Sequence, residues 1–108
     1  MAQNFRQVKM REIGTAATDI PDGSNFDSYD CVIGINFANI TTNTITVDAY
    51  VQNSSNNYYI IKGLPIVSGG AYVYDGKLNV VSGDRLYFKS DTASSLDVIV
   101  SFVDAIST

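Results

Sequence analysis

The alternation between Ile45 and Val51 constrains this chain more than any other feature. Ile45, Val47, Ala49 and Val51 fall on one side, and Thr46, Asp48 and Tyr50 on the other, the period of a strand with one buried face. The same period returns at Leu96, Val98, Val100 and Phe102, with Asp97 and Ser101 between them. Val, Ile, Thr, Tyr and Phe dominate the apolar residues while Leu is scarce, which favours strands over helices. Very little helix is expected.

Turn residues divide the rest of the chain. Asn4–Ile13 reads as a first strand with Val8 and Met10 on one face and Lys9 and Arg11 on the other, a charge pattern suited to a sheet edge. Residues 15–30 carry Pro21 and Gly23 and read as the longest loop. Cys31–Asn39 reads as a buried strand in which Ile33, Ile35 and Phe37 share a face, with Gly34 marking a bulge or a close approach. Asn, Ser and Thr fill the turns at 39–43 and 53–57, so a meander is expected. Residues 58–62 form a short strand ended by Gly63 and Pro65, and Ser68-Gly69-Gly70 makes the next turn. Asp75-Gly76 is the strongest two-residue hairpin signal, joining Ala71–Tyr74 to residues 78–81. After Ser82-Gly83-Asp84, Leu86 and Phe88 oppose Arg85, Tyr87 and Lys89, and the last strand follows. Seven to eight short strands predict an all-β fold, an antiparallel β-sandwich or jelly-roll-like barrel. The 108 residues suit a single domain, 1–108, with a short N-terminal arm at 1–8 and a C-terminal tail at 105–108.

Composition removes whole classes of function. With no histidine, every His-dependent triad and most transition-metal sites are excluded. The acids sit mainly in turns and on polar strand faces, where solvated charge is the better reading than a glycosidase pair, and no glycine loop opens a helix. No catalytic residue, cofactor or metal site is expected. The stretch from Asp19 to Asp30 is oxygen-rich, but its glycine follows Asp22 directly and no glutamate closes it, so it reads as a polar turn, with an adventitious cation left open. A net charge of −4 with dispersed cations argues against nucleic-acid binding. No apolar run approaches the roughly 18 residues of a membrane span, and the N-terminus lacks a signal-peptide pattern, so cytoplasmic synthesis is expected. Cys31 stands alone and reads as a small buried hydrophobe, and the triplets at Asn39 and Asn53 read as turn chemistry rather than glycan acceptors. What remains is aromatic. Tyr50, Tyr58, Tyr59, Tyr72, Tyr74 and Tyr87, with Phe88 beside them, are the candidate interface, because tyrosine is stiff, large and carries a hydroxyl. Half-buried strand packing explains them equally well.

Val32-Ile-Gly-Ile-Asn-Phe-Ala-Asn, Ile45-Thr-Val-Asp-Ala-Tyr, Asn57-Tyr-Tyr-Ile-Ile-Lys-Gly-Leu-Pro-Ile and Ser82-Gly-Asp-Arg-Leu together resemble small β-rich virion structural proteins of tailed bacteriophages, over residues 4–106. The resemblance implies a non-enzymatic particle component, made in the host cytoplasm and residing in the virion. It further implies self-association, with trimers favoured, and partners among other virion proteins, either the major capsid protein or tail proteins. A capsid decoration or cement subunit is the first expectation. The alternative is a carbohydrate-binding adhesin module of a tail fibre or baseplate, with Tyr58, Tyr59, Tyr72 and Tyr74 as its sugar platform.

Overall fold

A computed structural model describes residues 4–20, 31–79 and 84–104, which form nine strands and no helix. They are β1 (Asn4–Ile13), β2 (Thr18–Asp19), β3 (Cys31–Asn39), β4 (Ile45–Asn53), β5 (Asn56–Ile66), β6 (Ala71–Tyr74), β7 (Leu78–Asn79), β8 (Arg85–Ser90) and β9 (Leu96–Asp104). One antiparallel sheet runs β1-β9-β3-β6, with β7 following β6 along the same side of β3. The other runs β2-β8-β4-β5. Counting β6 and β7 as one interrupted edge, each sheet has four positions. The chain crosses between the sheets at nearly every connection, which makes the architecture a jelly roll. Among the described strands only β4 and β5 are both consecutive and paired, so the expected meander is replaced by crossovers.

The alternating residues form the core between the sheets. Ile45, Val47 and Ala49 of β4 and Leu96, Val98, Val100 and Phe102 of β9 are fully buried. Phe37 and Phe88 meet edge-to-face across the core with ring centroids 5.7 Å apart, tying the sheets together.

Several local expectations are corrected. β6 and β7 do not pair with each other, so Asp75-Gly76 is an interruption of one edge and not a hairpin turn. The Tyr74 ring folds over that interruption, and a Cβ on Gly76 would lie 2.5 Å from its hydroxyl. Among the described residues the one hairpin turn, between β4 and β5, is Ser54-Ser55, both with positive φ (53° and 68°). On β3 a register shift between Val32 and Gly34 takes Ile33 off the core face, and Val32, Ile35 and Phe37 fill it instead. β5 runs on through Gly63 and Pro65, which an edge strand tolerates. Its extra residues oppose Asp48, whose Oδ1 accepts the N–H of Gly63 (φ 64°) at 2.7 Å, closing a bulge. Thr18–Asp19, expected within a loop, pairs with β8. Residues 4–8, expected as an arm, belong to β1 and pair with β9. The expectations for residues 1–3, 21–30, 80–83 and 105–108 lie outside the described residues.

One end of the sandwich is sewn shut by its loops. Ile40 N–H donates to Ser95 O (3.0 Å), Asn39 N–H to Gly70 O (3.0 Å) and Ser90 N–H to Gly14 O (2.9 Å). Asn39, 3% exposed, is the hub. Its Nδ2 donates to the carbonyls of Asn43, Ile66 and Val67 at 2.8, 2.9 and 3.1 Å, and its Oδ1 accepts the N–H and hydroxyl of Thr41.

Candidate interaction surfaces

Each sheet turns one face to the core and one outward, and the two outward faces differ in chemistry. On the β2-β8-β4-β5 sheet, register aligns Asp19, Tyr87, Tyr50 and Tyr59 in one row across all four strands. Tyr50 stacks on Tyr87 at 5.3 Å and 15°, and meets Tyr59 at 5.0 Å and 47°. Flanked this way, Tyr50 is only 8% exposed although it points away from the core. Burial, then the neighbouring Tyr59 and Tyr87 and the Asp48 carboxylate, push its phenol above the ordinary tyrosine range. Both ends of the row carry a cation. Lys62 Nζ lies 4.6 Å from the Tyr59 ring centre, and Arg85 pairs with Asp19 beside Tyr87 (Nε to Oδ2, 2.9 Å). That carboxylate, first by hydrogen bond and then by charge, holds the Arg85 guanidinium above its usual range. Asp48, Lys62 and Lys89 form a charged neighbouring row.

The six expected interface tyrosines therefore do not share a surface. Tyr50, Tyr59 and Tyr87 form the row just described, whereas Tyr58 opposes Val51 and so lies on the other side of β5 from Tyr59. Tyr72 and Tyr74 belong to β6 in the other sheet, opposite the core residues Phe37 and Ile35. The Tyr72 ring rests 6.1 Å from that of Phe37, and Tyr74 packs against the core. Tyr58, Tyr59, Tyr72 and Tyr74 accordingly form no common platform. Within the row, Tyr50 is covered by Tyr87 and Tyr59, whereas Tyr59 stays 46% exposed with Lys62 over its ring. Phe88 is fully buried.

The outward face of the β1-β9-β3-β6 sheet is the one that sequence reasoning missed. Across paired strands it presents Ile99, Asn36 and Val73 in one row, Asp97, Ala38 and Ala71 in the next, and Ser101 with Gly34 in a third. The displaced Ile33 and the half-buried Cys31 and Val103 continue it. Lys9 stands at its β1 margin, opposite Ile99. Asp97 is already engaged, since its Oδ1 accepts the N–H of Glu12 at 2.9 Å across a bulge where Glu12 has φ 56°. Val73 is 61% exposed. A depression of about 430 Å³ on this sheet is lined by Arg6, Gln7, Ile33, Ser101 and Phe102, with no carboxylate among them to serve the Ser101 hydroxyl as a base. The signal in the sequence was the small, uncharged spacing residues of β3 and β6, which only the register brings together.

A second depression, about 340 Å³, is lined by Thr15, Thr46, Asp48, Lys89, Ser90 and Asp91. Its carboxylates are committed to backbone. Asp91 accepts the N–H of Thr46 (3.1 Å) and the hydroxyl of Thr92 (2.9 Å), which lower its carboxyl below the ordinary aspartate range. Among the described residues no three His, Cys, Asp or Glu side chains gather as for a metal ion, and no helix is long and apolar enough to cross a membrane. Asp19 is the described part of the acidic stretch, and it serves Arg85.

No known protein family matches the sequence, and no curated protein does. Solved structures do match. A protein from Bacillus endospore appendages, described as a family of disulfide-linked pili, is 11% identical with a TM-score of 0.55, over 98% of this chain and 88% of that one. The coat protein of Tobacco streak virus is 8% identical with a TM-score of 0.52, again over 98% and 88%. At such identities the likeness is one of fold.

Proposed function

We propose that this chain is a non-enzymatic structural subunit of a tailed-phage virion, a decoration or cement subunit that binds the capsid and works in several copies. The observation that carries this reading is the commitment of the chain's polar groups to its own framework. Asp19, Asp48, Asp91, Asp97 and Asn39 each satisfy a backbone or side-chain partner within the fold, and the outward sheet face left over is neutral and weakly polar. Such a molecule is built to be held in place and to hold others. The pilus and coat proteins that share its fold support the same reading. The separation of Tyr58, Tyr59, Tyr72 and Tyr74 onto different faces and sheets weighs against the adhesin alternative. Gold-labelled antibody against this chain, applied to intact particles, tests the proposal. Label spread over the head is expected; label confined to the tail tip contradicts it.

A further inference from the structure

We propose that the outward face of the β1-β9-β3-β6 sheet docks a second copy of this chain, face to face about a two-fold axis. The inference rests on the structural role proposed above and specifies its contact. The partner follows from the chemistry of the two outward faces. Laying the neutral face on the opposite sheet of another copy would bury Lys62, Lys89 and Asp48 against Ile99, Ala38 and Val73, leaving charges without water or partners. Laying it on its own equivalent buries uncharged positions alone in the three central rows except for Asp97, which keeps the Glu12 N–H. Lys9, on the marginal strand, stays at the rim. Alanine, serine and glycine at Ala38, Ser101 and Gly34 allow two sheets to approach closely.

The area is sufficient. Four strand positions about 4.8 Å apart, along a nine-residue β3 rising about 3.3 Å per residue, give a footprint of about 570 Å² per copy. A pair then buries about 1,100 Å², above the roughly 1,000 Å² that a specific interface needs. The contact is isologous, so it closes as a pair, in place of the three-fold cluster that the sequence resemblance implies.

Sedimentation equilibrium of the full chain from micromolar to millimolar concentration tests this. The expected result is a rise in average mass from one chain, 11.7 kDa, towards two. Val73→Lys and Ala38→Arg, on this face, raise the dissociation constant tenfold or more, while Tyr59→Lys, on the other face, leaves it unchanged. Val73 is 61% exposed, so V73K keeps the wild-type thermal midpoint and its effect is not misfolding. A chain that remains monomeric throughout overturns the pairing, as does association abolished by Y59K and indifferent to V73K. Binding only to another particle protein through this face also overturns it. Since particle labelling is a separate measurement, a monomeric chain that nevertheless decorates heads defeats the pairing and leaves the structural role standing.

Discussion

Replacing Asn39 by alanine removes the side chain that joins two loops, at 41–43 and 66–67, at the closed end of the sandwich. The amide has two hydrogens and reaches three carbonyls, so one of those bonds is shared, and the side-chain oxygen serves two donors of Thr41. In the alanine variant the Ile66 carbonyl, which Asn39 meets in a buried bond, loses that donor with little access to water. A buried group left unmade costs about 1–3 kcal/mol, and each lost bond nearer the surface about 0.5–1.5 kcal/mol. The low end of each range already sums to about 3 kcal/mol for Asn39→Ala, a large part of the 5–15 kcal/mol typical of a small domain. Urea unfolding, with wild type and variant fitted to one slope, reads it as a lower midpoint. Asn39→Asp adds a directional check. It keeps the acceptor for Thr41 but sets a carboxylate oxygen against carbonyl oxygens, so at neutral pH it is at least as damaging as alanine, and it recovers when acid protonates it. A loss below about 1 kcal/mol for N39A, or an N39D variant as stable as wild type, refutes the hub.

Phe102→Ala should cost about 3–5 kcal/mol, because the ring is fully buried, while Asp97→Ala should cost about 1 kcal/mol for its single bond to Glu12; equal midpoints by denaturant titration contradict the assigned faces. Ser54-Ser55→Asn-Gly should raise stability by about 1–2 kcal/mol, since both serines hold left-handed backbone in the β4–β5 turn; a thermal midpoint unchanged or lowered contradicts this. Asp91 binds its proton less readily folded than unfolded, so its stabilisation is complete above the ordinary carboxylate range, near 3.9, and is lost as pH falls through the lowered value. The stability gap between wild type and Asp91→Asn should therefore close in acid, and a gap that widens there contradicts the assignment.

Much of this fold was legible because its strands obey a strict period of two. The inward faces of β4, β8 and β9 follow directly from their sequences, and so does the all-β class. Bulges broke the reading. A single extra residue at Ile33 exchanged the core face of β3 from Ile33 to Val32, and nothing local in an apolar run announces such a shift. Asp75-Gly76 carries the dihedral freedom of a hairpin turn, yet tertiary pairing with β3 on both sides of it makes it an interruption. The real turn, Ser54-Ser55, has residues that pay for their conformation and so send a weak signal. Of the site, tyrosine identity was legible but tyrosine grouping was not, since Tyr59 faces Tyr50 only through the register of the β4–β5 hairpin and Tyr87 reaches them from β8, distant in sequence. The neutral sheet face escaped notice for the same reason: Ala38, Val73 and Ile99 are unremarkable until they lie side by side.

Lysine acylation read by mass spectrometry, on free chain and on assembled particles, tests most directly whether this protein works through its neutral sheet face. Lys9 borders that face, while Lys62 and Lys89 lie on the other sheet. Assembly should slow acylation of Lys9 several-fold and leave Lys62 and Lys89 reacting as in the free chain. Protection of Lys62 and Lys89 with Lys9 unchanged would place the contact on the tyrosine face and contradict the account.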